Sequence, residues 1–228
     1  MAGIDLQEPC VKLTEFGHEL FGPVARTSLV DAAREVLFEA GRAGTRCLLD
    51  EPVVREIAVE VGRTLATAGR LPTTAVAIQA IAFDKTPAAN WKVTWHQDVM
   101  FPFARPVSAE GFALASKKDG VDYARPPRHV LEALLAVRIH LDDCDETNGP
   151  LRVSPGTHQQ GIIRSTEIAE AVVRHGESVC LARAGEALLI KPLLLHASSP
   201  ATAPKHRRVL HVVYHSGEAM AEPWHRAV

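Results

Sequence analysis

Apolar positions recur at three- and four-residue steps in two early stretches of the chain and at shorter intervals afterwards. Leu29, Ala33, Val36, Leu37 and Ala40 share one face between Ser28, placed as an N-cap, and Gly41, which predicts an amphipathic helix. A second helix is predicted from Asp50, with Pro52 in its first turn, through Val54, Ile57, Ala58, Val61 and Leu65 to a stop near Gly69. Ahead of both, Phe16, Leu20 and Phe21 read as a short irregular or helical arm. After Pro72 the period changes. Residues 75–83 are rich in small and β-branched side chains and too short for another typical helix, so a strand is predicted there and again over 92–98, with Pro87 and Asn90 turning between them. Residues 99–127 lose all period, broken by Pro102, Pro106, Gly111, Gly120, Pro126 and Pro127. A loop that long inside a domain is commonly functional, and its place directly after Asp98 suggests a lid.

Beyond it, a short helix is expected over 128–135 and a longer one over 165–174. Strands are expected over 136–141, 151–153, 178–182, 186–195 and 207–214. Two helices followed by about eight short strands read as an α+β, mainly β protein with a sandwich or squashed-barrel core. At 228 residues the chain is expected to be one domain over 1–228, with 1–70 as helical support and 99–127 as the lid. Lys and Arg number 25 against 27 Asp and Glu, a net charge of -2 with no block of one sign, which argues against nucleic acid or a membrane surface as partner. Cys10, Cys47, Cys144 and Cys180 are scattered and read as reduced. With no apolar run near ~18 residues and no basic, apolar start, a cytoplasmic protein is expected.

The candidate chemistry lies in Trp95-His96-Gln97-Asp98. On a strand, positions i and i+2 point the same way, so His96 and Asp98 can reach one point while Gln97 turns aside. An imidazole nitrogen and a carboxylate offer two adjacent ligands to a metal, and a second histidine, His196, would complete a facial set of three. Parity along 186–196 puts His196 with Leu194 and Pro192, and parity along the last strand groups Arg207, Val209, His211 and Val213. One of Arg207 and Arg208 could then face the site, where a guanidinium suits a carboxylate. His211 shares the parity of Arg207, whereas His140 reads as a core or pocket histidine and His158 as a structural hydrogen-bonder. Trp91 and Trp95 read as packing between sheet and helices. Lys85 fits either the surface or the mouth of the site, and Lys117, Lys118 and Arg105 are either solvated or contacts for an anionic substrate.

These residues resemble the iron(II) and 2-oxoglutarate dependent oxygenases, and among them the phytanoyl-CoA dioxygenase family. The similarity runs through 83–87, His96-Gln97-Asp98, Asn148-Gly149-Pro150-Leu151, Pro155-Gly156-Thr157-His158, 192–198 and 207–210, in unbroken order over about 75–214. The resemblance implies a double-stranded β-helix (jelly-roll, cupin-like) braced by the N-terminal helices. It implies iron(II) held by His96, Asp98 and His196, with Arg207, eleven residues past His196, on the far carboxylate of 2-oxoglutarate and Arg208 turned away. Gln79 and Ser198 match weaker cosubstrate contacts of related enzymes. The implied reaction consumes dioxygen and 2-oxoglutarate, releases succinate and carbon dioxide, and by default hydroxylates a small molecule. Asp98 argues against the halogenating branch, where a small residue replaces the carboxylate. The rival reading is a cupin-like, metal-dependent isomerase or hydrolase that does not use 2-oxoglutarate.

Overall fold

The computed structural model describes residues 8–38 and 43–228. In chain order the first elements are α1 (Glu8–Glu15), β1 (His18–Phe21), α2 (Thr27–Val36), β2 (Gly44–Thr45), α3 (Pro52–Thr67), β3 (Val76–Lys85) and β4 (Val93–His96). Then come β5 (Phe101–Phe103), β6 (Ala113–Lys118), β7 (Val121–Arg125), α4 (Arg128–Glu132), β8 (Leu135–His140) and β9 (Leu151–Val153). The last are α5 (Ile168–His175), β10 (Ser178–Cys180), β11 (Ala187–Ile190), β12 (His196–Ser198) and β13 (Arg207–His215). A six-stranded sheet in the order β1-β11-β8-β13-β3-β2 faces a four-stranded sheet in the order β10-β9-β12-β4. The strands β3, β4, β8 and β9 alternate between the two sheets, as do β10, β11, β12 and β13, and every pairing is antiparallel. That winding is a double-stranded β-helix, left open at its edges rather than closed into a barrel.

Period-2 alternation gives the larger sheet an apolar outer face and an inner face that is buried but carries polar and charged side chains. Its outer face presents Ala80, Ala82, Val137, Ile139, Leu210 and Val212 to the helices. The alanines let α3 sit close, and Val54, Ile57, Ala58, Val61 and Leu65 fill the contact. Pro52 is pre-set for the first turn of α3, where no N–H is needed. Tyr214 reaches through this layer to donate its hydroxyl to the Ala58 carbonyl at 2.7 Å. Ile57 is fully buried there, so Ile57→Ala is expected to cost about 2–5 kcal/mol, read as a lower urea midpoint at unchanged slope.

Five expectations change. The N-terminal arm contains β1, an edge strand paired with β11, which leaves Leu20 about half exposed. α2 begins at Thr27 with no side-chain cap; Arg26 instead reaches Glu60 on α3 at 2.7 Å, and Ala40 and Gly41 lie outside the described residues. Residues 99–127 are not irregular but hold a three-stranded antiparallel sheet, β5-β7-β6, whose Phe103 stacks on Trp224 at 4.8 Å. The strand expected over 186–195 stops at Ile190. Pro192 has no N–H for a ladder, a turn closes from Leu194 N–H to Lys191 O at 2.9 Å, and His196 starts β12 in the opposite sheet. Finally, the tryptophans do not pack between sheet and helices. Trp95 carries the Arg152 guanidinium 5.4 Å from its ring centre, and Trp91 lines the internal cavity.

Candidate active site

The cavity between the sheets, about 360 Å³, is bounded by β3, β13 and β8 on one side and by β4 and β12 on the other. β4 and β12 pair with His96 directly opposite His196, and the two ring centres lie 4.2 Å apart. Each Nδ1 is occupied by the carbonyl two residues earlier, Thr94 O for His96 and Leu194 O for His196, both at 2.9 Å. That contact places the proton on Nδ1 and leaves each Nε2 lone pair free. Both face Asp98, His96 Nε2 at 3.7 Å from Oδ1 and His196 Nε2 at 3.7 Å from Oδ2.

Asp98 lies just past β4, pinned by its own N–H to Pro192 O at 2.9 Å. Gln97 turns aside, donating to Gly161 O and Leu193 O and accepting from Ile163 N–H. Donor atoms of His96, Asp98 and His196 all fall within 4.8 Å of one another, a two-His, one-carboxylate set that can hold a divalent metal on one face. Burial alone would raise the Asp98 carboxyl, but His196, His211, His96 and Arg138 outweigh it and hold it below the usual range. Burial pushes His196 down to about 4 against the pull of Asp98.

The PGTH segment buttresses this pair. Thr157 Oγ1 accepts the Leu195 N–H at 3.0 Å, next to His196, and donates to Ser154 O. His158 sits away from the cavity with Nε2 3.0 Å from Thr14 O. In the NGPL segment, Gly149 has φ +74° and a Cβ there would meet Ser199 O at 2.8 Å, so only glycine fits the turn. Its carbonyl accepts from Arg207 Nη1.

Gln79, Ser198 and Arg207 line the same cavity as the triad. Arg207 is 3 % exposed and its Nε has no partner, as is true of Gln79 Oε1. Arg208 turns outward and pairs with Asp142 at 2.8 Å. Lys85 lies opposite Arg207 in the ladder and is fully buried; Nζ donates to Ser199 O at 2.6 Å and Ser198 Oγ at 3.3 Å. Burial and the Arg207 charge bring it down to about 8. Lys118, Tyr123, Val99 and Met100 reach the cavity from 99–127, whereas Lys117 pairs with Asp122 and Arg105 with Glu222.

The profile of the phytanoyl-CoA dioxygenase (PhyH) family matches residues 31–209, most of the chain and the whole of the site just described. The chain belongs to the phytanoyl-CoA dioxygenase family. A search of curated protein sequences finds no match. Among solved structures, AviO1 from Streptomyces viridochromogenes Tue57 is 18% identical with a TM-score of 0.65, over 98% of this chain and 100% of that one. EctD from S. alaskensis, crystallised with 2-oxoglutarate and 5-hydroxyectoine, is 16% identical with a TM-score of 0.66, over 92% and 76%. The epimerase SnoN, in complex with Fe3+, alpha ketoglutarate and nogalamycin RO, is 15% identical with a TM-score of 0.64, over 92% and 83%.

One residue of this phytanoyl-CoA dioxygenase family site was not foreseen. Arg138 on β8 is 8 % exposed, lies with its guanidinium 5.7 Å from the Phe83 ring centre, and has an unpaired Nε. Its Nη1 sits 3.4 Å from Nδ1 of His211, its cross-strand partner, and His211 Nε2 lies 4.0 Å from Asp98. The signal was present in 135–140, where Val137 and Ile139 take the helix side and leave Arg138 and His140 together on the inner face.

Burial leaves His140, His196 and His211 neutral in the folded, metal-free protein down to about 3, about 4 and about 3. In the unfolded chain each takes a proton near 6.5. Below that value the unfolded state binds more protons, so stability is intact at neutral pH and falls between 6.5 and 4, by roughly 1.4 kcal/mol per pH unit for each histidine. Urea midpoints of metal-free protein should drop steeply across that window; a flat profile would mean that the histidines protonate in the folded state.

Proposed function

We propose that the protein is a cytoplasmic iron(II)- and 2-oxoglutarate-dependent dioxygenase that hydroxylates a small molecule. The observation that carries this reading is the convergence of two free histidine Nε2 atoms on Asp98 in a cavity whose wall holds a buried arginine with an unpaired Nε. His96, Asp98 and His196 would hold the metal through one face, leaving its other positions to small ligands. When bound, iron and 2-oxoglutarate supply the oxidising power by coupling decarboxylation of the oxoacid to reduction of dioxygen. Arg207 binds the far carboxylate, and Lys85 behind it fixes Ser198 at the same end of the cavity. Gln79 Oε1, buried without a partner, accepts from a ligand at the cavity wall. The β5-β7-β6 sheet and the segment leading into it act as the lid, excluding water through Val99 and Met100 ahead of β5 and Tyr123 on β7.

Anaerobic addition of iron(II) and 2-oxoglutarate is expected to give a weak visible charge-transfer band near ~500 nm. With oxygen, succinate should form in step with consumption of the oxoacid. Absence of both the band and metal binding defeats the reading. SnoN is an epimerase, so products of a responsive substrate are to be identified by mass, with a gain of one oxygen as the expected outcome for hydroxylation.

A further inference from the structure

The cavity that takes this chemistry is charged in one direction. Among its lining residues are four fixed cations, Arg46, Lys118, Arg138 and Arg207, and one carboxylate, Asp98. On the reading above, the two charges of a divalent metal and that of Arg207 are cancelled by Asp98 and the two carboxylates of 2-oxoglutarate. Arg138, Arg46 and Lys118 are left over, and none of the three has an acidic partner among the described residues. Arg138 is more than nine-tenths buried, with its Nε unpaired, an imidazole nitrogen at its Nη1 and an aromatic ring beside its guanidinium; the Arg207 charge acts against it, and the Asp98 charge that favours it is shared with the metal set. A buried cation without a counter-ion is costly, and a ligand that brings the missing negative charge is favoured there.

Arg46 and Lys118 are exposed and line the same cavity, so they stand at its rim. Arg46 also lines an adjoining cavity with Trp91 and Phe83, and Lys118 lies 5.2 Å above the Tyr123 ring. The cavity lining also includes the apolar side chains Ile81, Val93, Val99, Met100 and Leu151. A neutral or cationic substrate would cross a rim of positive charge into a positive interior. An anion is drawn in and held.

We infer that the primary substrate is a small organic acid, an apolar body carrying a carboxylate or phosphate, received at the rim by Arg46 and Lys118. This rests on the iron and 2-oxoglutarate reading, and its failure is separable from that of the reading itself. The probes are matched acids and neutral counterparts: hexanoate and hexanamide, 3-phenylpropionate and 3-phenylpropionamide, hexyl phosphate and hexanol. Each is titrated anaerobically into protein loaded with iron(II) and saturating 2-oxoglutarate, and the shift of the visible band is followed. Acids are expected to shift the band at about tenfold lower concentration than their neutral partners. In the double variant Arg46→Glu, Lys118→Glu that preference disappears, while the band given by iron and 2-oxoglutarate alone is retained and reports an intact fold. Equal responses to acids and amides overturn the inference, as do acid responses that survive the double reversal and silence of every acid at millimolar concentration. Loss of the band that excess 2-oxoglutarate restores also overturns it, since the acid then occupies the cosubstrate's place. No band with iron and 2-oxoglutarate alone defeats the oxygenase reading instead.

Discussion

Asp98→Ala is expected to lower iron(II) affinity by well over ~100-fold, a larger loss than removing a group that merely orients a ligand. Both histidines keep their places in this variant, because His96 and His196 are fixed by the β4–β12 pairing and by carbonyls at their Nδ1 atoms. What disappears is the one anion facing them, with Arg138 nearby. Iron retained after dialysis, with the metal-induced rise in Tm, measures the effect. His211→Gln is the control. Arg138 donates toward His211 Nδ1, so that nitrogen accepts and Nε2 carries the hydrogen toward Asp98. His211 therefore turns an N–H toward the carboxylate at 4.0 Å, beyond hydrogen-bond reach, and offers a metal no lone pair, so its variant should keep iron within the ~10–100-fold typical of losing a group outside the ligand set. Iron binding by Asp98→Ala at the native level, or its loss in His211→Gln alone, would place the metal elsewhere.

The contrast between Asp98 and Arg138 also shows how far the sequence could be read. HxD announces itself because the strand period puts two ligand types on one face, and Pro52 with five periodic apolar residues announces α3. Where tertiary contact decides, the pattern falls silent. β1 is a four-residue edge strand whose partner β11 is some 170 residues away, and its alternation is too short to stand out. β6 is nearly all exposed and carries no apolar face. Its turn did leave a mark, since Asp119-Gly120, with φ +50° and +81°, is a tight hairpin dipeptide between Lys118 and Val121. The prolines around it break the alternation that marks a strand. Pro192 breaks the strand on which His196 would share a face with Leu194, and the histidine reaches the site instead by β12 pairing with β4. Arg138 was hidden for a different reason, which also left Lys85 open between the surface and the mouth of the site. Charged residues in strands read as solvent-facing, and nothing local marks a sheet whose both faces are covered.

Arg207→Ala is expected to weaken 2-oxoglutarate binding roughly 100-fold while leaving iron affinity near the native value. Arg207 spends Nη1 on the Gly149 carbonyl, also bonds the Cys144 side chain, and keeps Nε buried without a partner, so that N–H stays unmatched until a carboxylate arrives. Arg207→Lys restores the charge without the planar fork and should recover only part of the loss. The measurement is the anaerobic titration of the iron(II) protein with 2-oxoglutarate and with 2-oxovalerate, which carries a methyl group in place of the far carboxylate. Native protein should prefer 2-oxoglutarate strongly, and if Arg207 is the group proposed to read the far carboxylate, that preference should collapse in Arg207→Ala. The same variant separates the two enzyme readings. A cupin-like isomerase or hydrolase that makes no use of an oxoacid keeps its activity without Arg207, whereas succinate formation cannot survive the loss unless the oxoacid concentration is raised to match the weaker binding. Equal affinity of native protein for the two oxoacids would remove Arg207 from the cosubstrate site, and the buried guanidinium would then be a structural clamp on the Gly149 turn.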